Sequence, residues 1–206
     1  MAAVLRLMIP TNESIEPDDR ELVRTIRNGD ASAFEQLVRR KTSKVYSLCC
    51  RIIGNTEDAK DVAQLAFIKL WENLGKYDPA YAFDTWLYRI VTNVAIDFMR
   101  NKQSRENAVN SNLRLVRTST DPEQGVVIQR KEIENVFQAV STVLSPKQKT
   151  IFVMREMDDL PSAEIARILG CRESTVRNHL FNARKMMQQQ LKKRFPEYSR
   201  LWKEQP

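Results

Sequence analysis

The stretch Leu160-Pro161-Ser-Ala-Glu164-Ile165-Ala166-Arg-Ile-Leu169-Gly170-Cys171-Arg172-Glu-Ser174-Thr175-Val176-Arg177-Asn178-His179-Leu180-Phe181 decides the fold. Two helix patterns meet at one glycine. The first, residues 162–169, has Ile165 and Leu169 four apart and small Ala166 where two helices would cross. Gly170 supplies the turn, and Cys171 reads as a small buried apolar residue. From Arg172 to about Arg194, Val176, Leu180, Ala183 and Met187 recur at the spacing of one helix face. The opposite face carries Ser174, Arg177, Asn178, Phe181 and Lys185, with Arg172 and Thr175 at the helix start. A cation, an amide and an aromatic ring suit guanine, adenine and a thymine methyl in a major groove. Arg184 and residues 192–194 are placed to hold phosphates. The alternative is a helical hairpin with a polar surface, which leaves Phe181 unexplained. His179 lies off the groove face, toward the edge of the first helix, and reads as a packing or surface residue.

Outward from this unit the periodicity stays helical. Ser145-Pro146-Lys-Gln148 has a capping Ser, Pro at the first helical position and Gln at the capping-box position. Residues 129–144 place Ile133, Val136, Phe137, Val140 and Leu144 on one stripe. Polar residues 107–120 have weak periodicity and read as a linker. Helices are expected over 18–28, 31–53, 56–74 and 84–105, the last capped by Asp84. No alternating strand pattern and no internal repeat occurs. The expected fold is all-α: an N-terminal tail (1–17), a helical bundle (18–106), a flexible strap (107–120), a helix-turn-helix domain (121–195) and a C-terminal tail (196–206).

Two faces of the bundle invite partners. On the fourth helix Leu87, Ile90, Val91, Val94 and Phe98 form the core stripe, while Trp86, Arg89, Asn93, Asp97 and Arg100 fall elsewhere. A Trp beside Arg and Asn suits single-stranded nucleic acid, stacking bases and holding phosphates. Trp86 folded back into the core is the other reading. On the third helix Ala59, Val62, Ala63, Ala66, Phe67 and Leu70 point one way; Asp61, Gln64, Leu65, Ile68, Trp71 and Glu72 point the other. That mixture of large apolar groups and acids is either a protein-docking face or buried under the N-terminal helices.

Charge and chemistry narrow the function. The 206-residue chain has a formal net charge of +7. Residues 172–203 hold nine bases against two acids, and residues 12–35 hold seven acids against three bases. The basic field at the C-terminal end favours a polyanion or is simply a solvated helix surface. Three cysteines (Cys49, Cys50, Cys171) and one histidine give neither a disulfide framework nor a closed zinc site. Reduced thiols in the cytosol fit this usage. Residues 1–10 are interrupted by Arg6 and do not read as a secretory signal. No uncharged run approaches the roughly 18 apolar residues of a membrane span. No cofactor and no metal is expected.

These residues add up to a resemblance. The chain, over about 30–194, resembles bacterial RNA polymerase sigma factors of the extracytoplasmic-function group. Asp61-Val-Ala-Gln64-Leu-Ala-Phe67 resembles the family segment that docks on the polymerase clamp helices. Phe83-Asp-Thr-Trp86-Leu-Tyr88-Arg89-Ile-Val-Thr-Asn93-Val-Ala-Ile-Asp97 resembles the promoter-melting and minus-ten segment. Asp121-Pro122-Glu123 resembles the opening of the second domain. The quoted helix-turn-helix resembles the minus-thirty-five reader. Pro161 and Arg172 stand where the family often has Ser, so both helix starts are expected to be weakly capped.

The resemblance implies partners: core RNA polymerase, through its clamp helices and flap, promoter DNA, and an anti-sigma protein. It implies a strap threading toward the RNA exit path and a flipped minus-ten base held by the loop 76–83, with Tyr77 or Tyr81 stacking on it. It implies no covalent chemistry in this chain. A stand-alone repressor or activator would leave the two bundle faces without a task. A nucleic-acid enzyme would need clustered carboxylates or a phosphate loop, and the sequence has neither.

Overall fold

The structure, a computed structural model, describes residues 18–110 and 126–196, with side chains over 18–106 and 132–196. The tails at 1–17 and 197–206, the strap from 111 and the Asp121-Pro122-Glu123 motif lie outside the described residues. Every regular element described is helical: α1 (Asp19–Arg27), α2 (Ala31–Ile53), α3 (Thr56–Asn73), α4 (Phe83–Asn110), α5 (Val126–Ser141), α6 (Pro146–Glu156), α7 (Ser162–Leu169) and α8 (Glu173–Arg194).

Local chemistry sets the helix ends. The carboxylates of Asp18 and Asp30 accept from the Glu21 and Ser32 N–H groups at 2.8 Å, and Asn55 caps α3 through the Asp58 N–H at 2.9 Å. At α6, Ser145 and Gln148 exchange both capping-box bonds. The starts of α7 and α8, at Pro161 and Arg172, have no side-chain cap, as expected. Gly54 and Gly170 end α2 and α7 with φ of 82° and 61°, the left-handed conformation that glycine adopts without strain.

Boundaries depart from expectation in α4 and α5. Helix α4 begins at Phe83, and the Asp84 carboxylate is not its cap; it turns to Lys41 at 2.6 Å and Lys44 at 2.8 Å. The same helix continues to Asn110, so the first four residues assigned to the strap are helical. Helix α5 stops at Ser141, leaving Leu144 in the following turn, and Ile133 is 65% exposed rather than part of the buried stripe.

The first domain buries Leu37, Val45, Leu48 and Ile52 of α2 against Val62, Ala66 and Leu70 of α3 and Leu87, Val91 and Ala95 of α4. Each large aliphatic side chain so buried contributes about 1.5–3 kcal/mol. On α4 the expected stripe is shifted: Tyr88, Thr92 and Ala95 are buried, whereas Ile90, Val94 and Phe98 are only half-buried. The cause is that α4 is covered from two sides, by α2 and α3 and by α7 of the second domain. Lys41, nearly excluded from solvent, is neutralised by Asp19 and Asp84 and sits 5.7 Å over the Phe83 ring. In the second domain Ile151 and Met154 of α6, Ile165 and Ile168 of α7, and Val176, Leu180, Ala183 and Met187 of α8 share one core. Ile168 takes the deep position expected of Leu169, and Cys171 is half-buried.

Lys149 is an ammonium with no carboxylate paired to it among the described residues. It donates to Gln138 Oε1 at 2.7 Å and lies 5.9 Å over the Phe137 ring. Burial, with Lys102 adding repulsion, pushes its pKa down to about 8. Its unfolded value is about 10.4, so between those two values the unfolded chain binds more protons and stability rises with pH. Replacing Lys149 with Met is therefore expected to raise the melting temperature at pH 7, by about 2–4 °C for each kcal/mol gained. That advantage should shrink toward pH 9. A circular dichroism melt at both pH values checks it, and a lower melting point at pH 7 contradicts it.

Candidate nucleic-acid interface

The α8 face is formed as expected. Val176, Leu180, Ala183 and Met187 are buried, which turns Ser174, Arg177, Asn178, Phe181 and Lys185 outward; Phe181 is 69% exposed. Arg172 is exposed and Thr175 half-buried. Arg177 lies 2.5 Å from Glu173 one turn back, a surface pair that is worth only a few tenths of a kcal/mol and yields readily to a better partner.

Two phosphate candidates are already engaged. Arg184 is paired with Glu156 of α6 at 2.7 Å, and Arg194 donates to the Ala139 carbonyl at 2.6 Å. Both tie α8 to its own domain. The sequence carried the signal for Arg184, since it follows buried Ala183 and so flanks the core side of the helix. His179 is half-buried, as a packing histidine should be. Burial lowers its pKa, and the charge it feels is Lys147 of α6, not a group of α7.

The α4 face is split. Arg89, Asn93, Asp97 and Arg100 are exposed, with Asp97 and Arg100 3.6 Å apart. Trp86 does not stand free beside them. It is half-buried in an aromatic cluster, its ring centroid 5.2 Å from Tyr77 and 5.9 Å from Phe83. Tyr77 is also in the core, 3% exposed, and its hydroxyl donates to the Tyr81 carbonyl at 2.7 Å. Only Tyr81, 63% exposed, presents a free ring from the loop 76–83. Sequence reasoning missed the anchor of this loop. The Arg27 guanidinium donates to the carbonyls of Leu74 (2.8 Å), Gly75 (3.1 Å) and Tyr77 (2.5 Å), closing the turn after α3. An arginine in the last turn of an amphipathic helix gives no sign in the sequence of a partner 47 residues away.

The α3 face is exposed throughout. Asp61, Gln64 and Glu72 are open to solvent, and Leu65, Ile68 and Trp71 are 43%, 54% and 50% exposed. The Trp71 ring meets Phe34 edge-on at 4.7 Å, which fixes its position without burying it. Burial under the N-terminal helices is thereby excluded for the described residues. Cys49 is buried in the core and its thiol is pushed up to about 12, so it is held as an unreactive thiol. No group of His, Cys, Asp or Glu among the described residues is arranged to hold a metal ion, and no described helix is long and apolar enough to cross a membrane.

Comparison with known proteins agrees with this geometry. Residues 37–105 match the model of sigma-70 region 2, and residues 136–187 match that of sigma-70 region 4. The chain is 33% identical to the ECF RNA polymerase sigma factor SigW of Bacillus subtilis over 182 residues, covering 84% of this chain and 96% of that protein. It is 32% identical to the ECF RNA polymerase sigma-E factor of Escherichia coli, covering 81% and 90%. Among solved structures, CnrH in complex with the cytosolic domain of CnrY shares the fold with a TM-score of 0.60 at 24% identity, over 85% of this chain and 98% of that one. RpoE in complex with the anti-sigma factor NepR, from Bartonella quintana, does so at 0.58 and 19%, over 77% and 96%. With the helix-turn-helix, the exposed α3 face and relatives matched along almost their whole length, the chain belongs to the extracytoplasmic-function group of RNA polymerase sigma factors.

Proposed function

We propose that three exposed faces divide the work by which this non-enzymatic factor directs core RNA polymerase to promoters. Asp61, Gln64, Leu65, Ile68 and Trp71 of α3 dock on the polymerase. Tyr81, Arg89, Asn93, Asp97 and Arg100 hold the melted minus-ten strand, with Trp86 bracing them through Tyr77 and Phe83. Arg172, Ser174, Thr175, Arg177, Asn178, Phe181 and Lys185 read the minus-thirty-five duplex. Helices α1–α4 form the first domain and α5–α8 the second, with the strap between them. An anti-sigma protein restrains the chain in the cytoplasm; the solved complexes of CnrH and RpoE with their partners support this.

The observation that carries the reading is where apolar surface is left uncovered. Of seven large apolar side chains exposed among the described residues, five (Leu65, Ile68, Trp71, Tyr81, Phe181) fall on these three faces. Exposed apolar groups concentrated on polar faces mark binding sites.

The two loop tyrosines separate function from structure. Tyr81→Ala is expected to slow promoter opening about ten-fold, because stacking contributes about 1–3 kcal/mol per base. Its melting temperature should stay near the wild-type value. Tyr77→Ala, which empties a core position, should lower that temperature by several degrees. Permanganate footprinting on a duplex promoter, with a pre-melted template as control, reads the first effect. Normal opening by Tyr81→Ala removes the stacking role.

A further inference from the structure

Helix α1 precedes the residues that match sigma-70 region 2, yet it holds both ends of the loop 76–83. Its buried face, Leu22, Val23 and Ile26, fixes it to the bundle. Arg27 in its last turn reaches the end of α3. The guanidinium donates to the Leu74 carbonyl from Nε at 3.2 Å and from Nη2 at 2.8 Å, and Nη2 also donates to Gly75 at 3.1 Å and Tyr77 at 2.5 Å. Carbonyls at a helix C-terminus lack partners within the helix, and a cation is favoured there. At its other end the loop runs into Phe83 and Asp84 of α4. Buried Lys41 of α2 bridges Asp84, at 2.6 Å, to Asp19 of α1, and Arg40 contacts Asp19 at 3.3 Å.

Between these anchors the loop is braced from within. The Tyr77 hydroxyl donates to the Tyr81 carbonyl at 2.7 Å. The Tyr81 N–H donates to the Asp78 carbonyl at 3.1 Å, and the Ala80 N–H to the Asp78 carboxylate at 2.9 Å. Contacts therefore run from Arg27 to the Tyr77 backbone, then through the Tyr77 hydroxyl to the Tyr81 backbone, and end at an exposed ring. The ring is open to solvent, but the peptide that carries it is held. A binding group has to be kept within about 0.5 Å of its productive place, and a loop already in that shape loses little freedom when its ligand arrives.

Resting on the reading of Tyr81 as a stacking residue, we infer that Arg27 is a positioning residue for the melted minus-ten strand. Helix α1 sets the pose of the loop 76–83 and, with it, the recognition of the base stacked on Tyr81. Lysine at position 27 keeps the charge but not the planar fork that reaches Leu74, Gly75 and Tyr77 together.

Holoenzyme titrated with a single-stranded oligonucleotide tests this. The probe carries the minus-ten non-template strand of a promoter selected by the chain, with an abasic site placed at each position in turn. The wild-type factor should lose about ten-fold in affinity at one position and little elsewhere, and Tyr81→Ala should erase that contrast. Arg27→Gln and Arg27→Lys should reduce it to about two- to three-fold, with core polymerase affinity unchanged. Adding Arg27→Gln to Tyr81→Ala should cost nothing further, because both changes act on one contact. The contrast is read only among molecules that have bound polymerase, so a modest loss of stability does not move it. Should Arg27→Gln not fold, Arg27→Lys and, at the other end of the loop, Asp19→Asn carry the same test.

An arginine that only stabilised the bundle would leave the wild-type contrast intact. Contrast lost in Tyr81→Ala but kept in the Arg27 variants overturns the positioning role alone, as does an additive double variant. No favoured position in the wild-type factor removes the stacking role of Tyr81, and the inference falls with it.

Discussion

Trp71→Ala is expected to weaken binding of core RNA polymerase by about 30-fold, and the Ile68→Ala, Trp71→Ala double variant by more, while both chains stay folded. Alanine at an interface tryptophan commonly costs 2 kcal/mol or more, which is about that factor. Both residues stand about half exposed beside Leu65 on the side of α3 that faces away from buried Val62, Ala66 and Leu70. The Phe34 ring keeps the indole in place before the partner arrives, so little ordering cost remains on binding. Gln64→Ala should weaken binding less, since a truncated rim amide leaves water to take its place. Titration of labelled polymerase beside a thermal melt separates docking from folding. Unchanged affinity, or loss of affinity only with loss of fold, removes α3 as the docking face.

The second large effect is expected on α8. Arg177 and Phe181 both project from the side opposite buried Val176 and Leu180, but they act by different physics. If Arg177 contacts a base edge, Arg177→Ala costs about 1–3 kcal/mol and relaxes preference at one or two positions. If it only contacts phosphate, affinity falls evenly over all sequences and the salt slope drops by about one. Breaking its surface pair with Glu173 is a small term on either route. Phe181→Ala should lose affinity at constant salt slope, because its contact carries no charge. Holoenzyme selection from a randomised minus-thirty-five library reads all three quantities. An unaltered selected motif with unaltered affinity for both variants moves the reading face elsewhere.

How much of this was visible in the chain itself follows from the range of the forces involved. Helix α2 and the capping box at Ser145 are set by periodicity and by contacts within four residues, and both match the structure. The buried stripe of α8 is equally local: four positions at helical spacing, all inaccessible. The errors come from groups whose partners are far along the chain. Asp84 looked like a cap because nothing local shows Lys41 and Lys44 waiting for it. Trp86 and Tyr77 looked available until the turn after α3 folded them together with Phe83. Ile90, Val94 and Phe98 form the α4 core only if that helix has one neighbour, and it has neighbours on two sides. The contact of α4 with α6 and α7 of the second domain has no periodic signature in any of these segments.

Promoter-directed initiation by this chain is tested by run-off transcription from a promoter it selects, using purified core polymerase with and without it. One discrete transcript is expected only when both are present, with its start fixed by the minus-ten element and lost when that element is scrambled. Equal, non-specific product with and without the chain, or promoter-specific binding by the chain alone as a dimer on a palindrome, would contradict it.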